Sequence, residues 1–357
     1  MEKKEKLLII DRHPFGTLVD TVKWCEYGRH IYDITLLCFD DSKRKSMDGI
    51  DIVRIAYDDS IIKRGIRYIY NAFKILRRFK GYIFVVYFEG CSILKMFFPN
   101  KKIHVDVRTL SVSKNSEVRR KYDKRLIKEC AKFDSVSTLS EGIRSKMGLK
   151  SIKLLPLGAD IISPSEKSYG DSIRLLYVGT LNNRHISSTI YGLKIFRKKH
   201  PDVIVKYDII GDGMQSENEQ LLTAIRETDC ADIVKWHGRI EFDKLRKYFD
   251  QANVGVSFVP ITDYYKYQPP TKTYEYVRSG LFCIATHTLE NAKILTPEVG
   301  ALIDDSEDGF VIGLETFLKL QDSLDFKIIS SHLDDYSWES IVKTYFVDII
   351  NSMSGLS

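Results

Sequence analysis

None of the six cysteines in this 357-residue chain falls in a C-x-x-C pair: Cys25, Cys38, Cys91, Cys130, Cys230 and Cys283 are scattered singly. Such spacing argues against a disulfide framework and against structural zinc, and predicts thiols used as small buried hydrophobes. The eight histidines are equally dispersed and offer no metal-ligand cluster, so no metal is expected. Long apolar runs are also missing. The best stretch, residues 81–99, is broken by Glu89, Gly90 and Lys95, and is read as a strand followed by a short helix. No G-x-G-x-x-G follows a strand with an acid about twenty residues on, which disfavours a dinucleotide-dependent dehydrogenase. No short repeat and no low-complexity segment interrupts the chain. The opening M-E-K-K-E-K-L-L-I-I-D mixes acids with its lysines and lacks a small-residue cleavage site. It is read as the lead into a first strand, with a cytoplasmic location expected.

What the chain does have is an uneven charge. Residues 1–170 carry 34 Lys/Arg against 21 Asp/Glu, a net of +13, whereas the remainder carries 20 against 27, a net of −7. A basic half beside an acidic half points to one domain meeting a polyanionic surface.

Strand-like runs recur with helical stretches between them. The first series is residues 7–11, 34–38, 52–55, 82–87, 103–107 and 135–138, closed by 153–156. Residues 161–172 are rich in Ser, Pro, Gly and charge, after which the alternation restarts at 173–178, 207–210, 233–236, 254–258 and 282–285. Apolar β-branched runs alternating with amphipathic segments indicate βαβ units on parallel sheets. Starting twice, they predict an α/β chain of two doubly wound, Rossmann-like domains. The expected bounds are 1–163, a linker at 164–172, and 173–336, with a closing helix over 337–357 returning to the first domain. In such folds ligands sit beyond the carboxyl ends of the strands, so two facing domains predict a central cleft.

The strongest local signal is residues 268–286, Q-P-P-T-K-T-Y-E-Y-V-R-S-G-L-F-C-I-A-T. Pro269 and Pro270 suit the start of a helix, which puts Lys272 in its first turn and Glu275 one turn on, sharing a face. A helix N-terminus has free N–H groups and partial positive charge, so with Lys272 it can hold a diphosphate. Glu275 is then positioned to accept bonds from ribose hydroxyls, and Gly280 ends the helix. The plainer reading is a capped helix with a surface Lys–Glu pair.

This segment resembles the donor-binding helix of glycosyltransferase family 4, a large family of GT-B fold. Further motifs resemble that family in order: Leu139-Ser140-Glu141-Gly142, Pro156-Leu157-Gly158-Ala159-Asp160, Tyr177-Val178-Gly179-Thr180-Leu181 with Arg184, Ile210-Gly211-Asp212-Gly213, Trp236-His237-Gly238-Arg239 and Tyr336-Ser337-Trp338-Glu339. The resemblance implies a retaining, metal-independent hexosyltransferase. It would use a nucleoside-diphosphate sugar as substrate, with no separate cofactor, and act on a hydroxyl of a lipid-linked saccharide in bacterial lipopolysaccharide, capsule or other surface polysaccharide. It implies that Arg184 and Lys272 neutralise the donor diphosphate and Glu275 holds the ribose. Gly179 lets backbone approach the phosphates, and the turns at Gly211, Gly238 and Arg239 line the donor site. Two features depart from the family. Tyr267 stands where its first paired glutamate is expected, and Thr180 replaces the arginine after the loop glycine.

On the acceptor side, alternation places His104, Asp106 and Arg108 on one face of their strand. Asp106 and Arg108 are favoured as catalytic candidates, because a lone strand histidine is more often a satisfied core residue. His13 and Gly16, just after the first strand, are candidates for the acceptor or cleft. From 61 to 80 the chain carries seven basic residues and no acid. Ile62, Ile66, Ile69, Phe73 and Leu76 are expected to face inward, and Lys63, Arg67, Lys74 and Arg78 outward. This predicts peripheral contact of helix 61–80 with an anionic membrane, at its cytoplasmic face. Nucleic acid is not expected, since no recognition motif is present. Two rival functions remain: a GT-B sugar-nucleotide epimerase and a non-catalytic GT-B scaffold.

Overall fold

The protein is described by a computed structural model covering residues 4–42 and 44–354. The first three residues of the charged lead and the last three of the expected closing helix lie outside the described residues. The chain divides into two compact units, one running to Gly158 and resuming at Trp338, the other Ala159–Ser337.

The first unit is built on seven parallel strands: β1 (Glu5–Ile10), β2 (Tyr32–Phe39), β3 (Ile50–Ile55), β4 (Tyr82–Val86), β5 (Ile103–Val107), β6 (Ser135–Thr138) and β7 (Ile152–Leu154). Their order is β3-β2-β1-β4-β5-β6-β7, with Leu7 opposite Ile34 on one side of β1 and Tyr82 on the other. Leu7 through Ile10 are closed to solvent on both faces, as a sheet covered by helices requires. The closing helical segments from Trp338 to Ser352 pack here. Phe346 stacks on Trp24 with ring centroids 5.6 Å apart and meets Phe84 at 5.0 Å.

The second unit repeats the plan with β8 (Ile173–Val178), β9 (Val205–Ile210), β10 (Val234–Trp236), β11 (Val254–Ser257), β12 (Phe282–Thr286) and β13 (Gly300–Ile303), ordered β10-β9-β8-β11-β12-β13. In both sheets the order reverses beside the first strand, at β1/β4 and at β8/β11, where doubly wound folds leave room for a ligand. Residues 161–172 carry no regular element but are pinned to this unit. Ser163 Oγ donates to Asp250 at 2.5 Å, and Lys167 Nζ donates to the Phe249 carbonyl at 2.6 Å.

The basic helix runs from Ile61 to Arg78, and its orientation corrects the sequence expectation. The buried residues are Tyr68, Ala72 and Leu76, four apart, while Ile62 and Ile66 are exposed. Tyr68 decides the rotation. Its hydroxyl donates to the Leu37 carbonyl at 3.1 Å, and its ring packs on Phe39 and Phe88. A buried tyrosine with a satisfied hydroxyl combines a large apolar area with no orphaned polar atom. Ile69 and Phe73 are half-buried at the margin.

Candidate functional site

In the second unit the loops at the carboxyl ends of β8, β9 and β10 lock together through glycine backbone. Gly179 N donates to the Ile210 carbonyl at 3.0 Å, and Gly211 N donates to the Gly238 carbonyl at 2.7 Å. Trp236 Nε1 donates to the Gly211 carbonyl at 2.8 Å. Gly179 (φ +150°) and Gly211 (φ +133°) hold backbone angles that side chains avoid. A Cβ on Gly211 would overlap the Gly179 carbonyl, and one on Gly179 would lie 3.1 Å from Lys272 Nζ. Glycine at 179 therefore lets its backbone lie against that ammonium, where a side chain would crowd it.

Lys272 comes from the helix Thr271–Arg278, which starts just after Pro270 without a side-chain cap. Uncapped amides leave the partial positive charge of its N-terminus unspent. The helix start is fixed to the strand ends beneath it. Thr273 Oγ1 lies 2.7 Å from Ser257 Oγ and donates to Asn291 at 3.0 Å, while Asn291 Nδ2 donates to the Thr286 carbonyl at 2.9 Å. Lys272 Nζ is shut off from solvent, has no hydrogen-bond partner among the described residues, and sits 3.9 Å from the centroid of the Tyr177 ring. Burial holds its pKa well below the ordinary lysine range. The nearby Arg184 guanidinium lowers it further, against the opposing pull of Glu275. Arg184 is half-buried, lies 4.4 Å over the Tyr265 ring, and donates to the Asn183 carbonyl at 3.4 Å. For Glu275, burial and then Asp160 push the carboxyl up to about 7, with Lys272 pulling the other way. The structure thus gathers Gly179, Arg184, Lys272 and Glu275, with Gly211 and Gly238 in the loops behind Gly179. Arg239 follows Gly238 as an exposed side chain.

In the first unit a pocket of about 580 Å³ is lined by Arg12, His13, Tyr57, Arg64, Phe88 and Arg108, among others. Asp11, buried at the end of β1, organises its floor. One carboxylate oxygen accepts from His13 backbone N at 2.9 Å and lies 2.8 Å from His13 Nδ1, while the other accepts from Thr21 at 2.6 Å. The bond to Asp11 raises the His13 pKa above its usual value. Gly16 turns the following loop at φ +98°. Arg108 is nearly buried and committed: it pairs with Asp20, donates to the Leu155 carbonyl at 2.7 Å and lies 3.5 Å from Asp106. Asp106 is closed to solvent, accepts from Ser137 at 2.5 Å, and has its pKa pushed up to about 6 by burial. The pocket lining includes Arg108 but not Asp106. His104 lies in the core, bonded to Ser135 and Ser137 and stacked on Phe84, with its pKa held down at about 3 by burial.

Comparison with known proteins bears on these two sheets. Residues 172–319 match the model described as glycosyl transferases group 1, and lie within the second unit. The structure superposes on sucrose-phosphate synthase from Thermosynechococcus elongatus with a TM-score of 0.77 at 13% identity, over 99% of this chain and 100% of that one. The fold is GT-B. A lipopolysaccharide outer core galactosyltransferase in its apo form gives a TM-score of 0.70 at 17% identity, over 97% of this chain and 99% of that one. An E. coli structure described as trehalose-6-phosphate bound with UDP-2-fluoro glucose gives 0.70 at 10% identity, over 99% of both chains. No curated protein sequence matches the chain.

Several residues of the two GT-B units carry site geometry that sequence reading passed over. Asp11 stands where a β-strand delivers functional groups, which is a signal that was available. Tyr177 opened a strand-and-loop motif but was given no role of its own, yet its ring faces Lys272. Asp20 lies far in sequence from Arg108, and no local pattern links them. Arg12 and Arg64 enter the pocket over aromatic rings, Arg12 5.3 Å from the Phe88 centroid and Arg64 4.4 Å from that of Tyr57.

Proposed function

We propose that this protein transfers a sugar, as a hexosyltransferase, from a nucleoside-diphosphate sugar to a hydroxyl of a saccharide acceptor. The second unit would hold the donor. One observation carries the reading: the Lys272 ammonium is desolvated, has no hydrogen-bond partner among the described residues, and lies against Gly179. A buried cation without an anion is costly, and a pyrophosphate beside Lys272 and Arg184 relieves that cost. Transfer builds positive charge on the sugar and negative charge on the departing diphosphate. Fixed cations and the helix N-terminus stabilise the latter without rearranging. Glu275 holds the ribose, Gly211, Gly238 and Arg239 border the nucleotide, and Gly179 admits the phosphates.

In this reading the acceptor belongs to the first unit, with His13, Gly16 and Arg108 at its pocket and Asp106 setting the Arg108 position from behind. Retention of configuration, a lipid-linked acceptor and a role in surface polysaccharide are parts of the proposal. They are supported by the group 1 match over residues 172–319 and by the likeness to a lipopolysaccharide galactosyltransferase. The donor class is supported by the likeness to a structure holding a UDP-sugar analogue.

A thermal-shift panel of nucleoside diphosphates tests it. UDP or GDP is expected to raise Tm in the wild type and not in Lys272→Ala. Indifference of the wild type to every diphosphate would favour a non-catalytic scaffold.

A further inference from the structure

The helix Ile61–Arg78 buries only a narrow stripe and leaves a second, wider apolar face uncovered. Ile61, Ile62, Ile66 and Tyr70 are 71, 74, 66 and 68% exposed. The neighbouring helix Ser92–Phe97 adds Met96 and Phe97, each 62% exposed. Phe73 joins the two helices, its ring centroid 4.9 Å from that of Phe97 and 5.3 Å from that of Phe98. Ile61, Ile62, Ile66, Tyr70 and Phe73, with Ile93 and Phe98 from the neighbouring segment, line one open, mainly apolar trough of about 810 Å³ bordered by Lys74, Arg77 and Arg78, and Met96 and Phe97 lie exposed on the neighbouring helix. Isolated exposed apolar residues are ordinary, but a contiguous patch of this kind marks a docking surface.

The flanking charge selects the occupant. Lys63, Lys74, Arg77, Arg78 and Lys80 have no carboxylate partner among the described residues. Among the described residues, only Arg67 on this helix meets an acid, Asp58 at 3.5 Å. A second copy of the chain would bring the same unpaired cations against themselves, since a two-fold contact uses one patch twice. An anionic bilayer answers both features, taking isoleucine and aromatic side chains into its interface while its headgroups meet the cations. No helix among the described residues is long and apolar enough to cross a membrane, which leaves a helix lying in the interface.

We propose that the helix Ile61–Arg78 inserts its Ile61, Ile62, Ile66 and Tyr70 side chains, with Met96 and Phe97, into the surface of an anionic membrane. This differs from the purely electrostatic contact read from the sequence, which turned Ile62 and Ile66 inward. The same helix sends Arg64 into the pocket that holds His13 and Arg108, so docking brings that pocket to the bilayer surface. If the transferase reading holds, its acceptor is then presented from the membrane.

The test is co-sedimentation of the full chain with vesicles of phosphatidylcholine alone and of equal parts phosphatidylcholine and phosphatidylglycerol. The wild type is expected to sediment with the mixed vesicles only. Ile62→Gln with Ile66→Gln leaves the charge unchanged and is expected to weaken binding at least about tenfold. Arg77→Glu with Arg78→Glu is expected to weaken it by a similar factor. Melting followed by circular dichroism shows that each variant folds. Tryptophan placed by Ile66→Trp is expected to be quenched by brominated acyl chains. Full binding by the glutamine variant, or no quenching, overturns insertion. A wild-type dimer that the glutamine variant abolishes would assign the face to a second copy and overturn the proposal. None of these readouts involves a nucleotide, so failure here is distinct from failure of the transferase reading.

Discussion

The Lys272 ammonium rests 3.9 Å from the centre of the Tyr177 ring and has no hydrogen-bond partner among the described residues. A ring face offsets part of the desolvation of a cation, but it supplies no counter-charge. The position is costly to the free protein and suited to a bound anion, a division often found at functional sites.

From this follows an opposite effect of Lys272→Met on folding and on binding. Methionine keeps the volume and removes the buried charge, so the free protein is expected to be as stable as wild type or more so, by up to about 2 kcal/mol in denaturant melts. Affinity for a nucleoside diphosphate, by calorimetry, is expected to fall about a hundredfold, or about 2.7 kcal/mol. A variant that is destabilised yet binds normally would place Lys272 in the scaffold instead.

Binding should also move protons. A diphosphate favours the charged form of Lys272, whose pKa burial has lowered. Over the pH range in which Lys272 titrates, the complex is expected to take up protons and affinity to weaken as pH rises, read by calorimetry in buffers of different ionisation enthalpy. Lys272→Met is expected to remove most of the uptake.

Glu275 gives a stability signature without ligand. Its pKa stands near 7 in the folded chain against an ordinary 4.5, so between those values the native state binds more protons than the unfolded one. Stability contributed by this group is therefore full below pH 4.5 and lost as pH rises toward 7, by about 2–3 kcal/mol. Denaturant melts at pH 5 and pH 8 should show Glu275→Gln losing less stability across that interval than wild type. Equal losses would mean Glu275 is not the group responsible.

Asp11→Asn addresses the first unit. The Asp11 carboxylate raises the His13 pKa, and its removal is expected to lower the ring's titration midpoint, followed by NMR of the imidazole protons. An unchanged midpoint would show that the two side chains do not meet in solution.

The sequence made some of these features visible and hid others. Two βαβ series were legible because strands such as Leu7–Ile10 and Leu175–Val178 are continuous apolar runs. By contrast, β13, Gly300–Ile303, is four residues with neither β-branched density nor alternation, and it was missed. The helix carrying Lys272 was legible from Pro269, Pro270 and Gly280, which punctuate a chain locally. The facing of Ile61–Arg78 was not, because periodicity reports an apolar stripe without saying what covers it. Here Tyr68 and Ala72 took the core beside Leu76, and Ile62 and Ile66 were left outside. The orphaned Lys272 Nζ and the Arg108–Asp20 pair are facts of packing between distant segments, which no local pattern encodes.

The most direct measurement is a crystal structure of the chain grown with a nucleoside-diphosphate sugar. The expected result is pyrophosphate oxygens within hydrogen-bonding distance of Lys272 Nζ and Arg184, beside Gly179, with the ribose hydroxyls on Glu275. A nucleotide bound elsewhere, or Lys272 turned onto one of the protein's own carboxylates, would contradict the account.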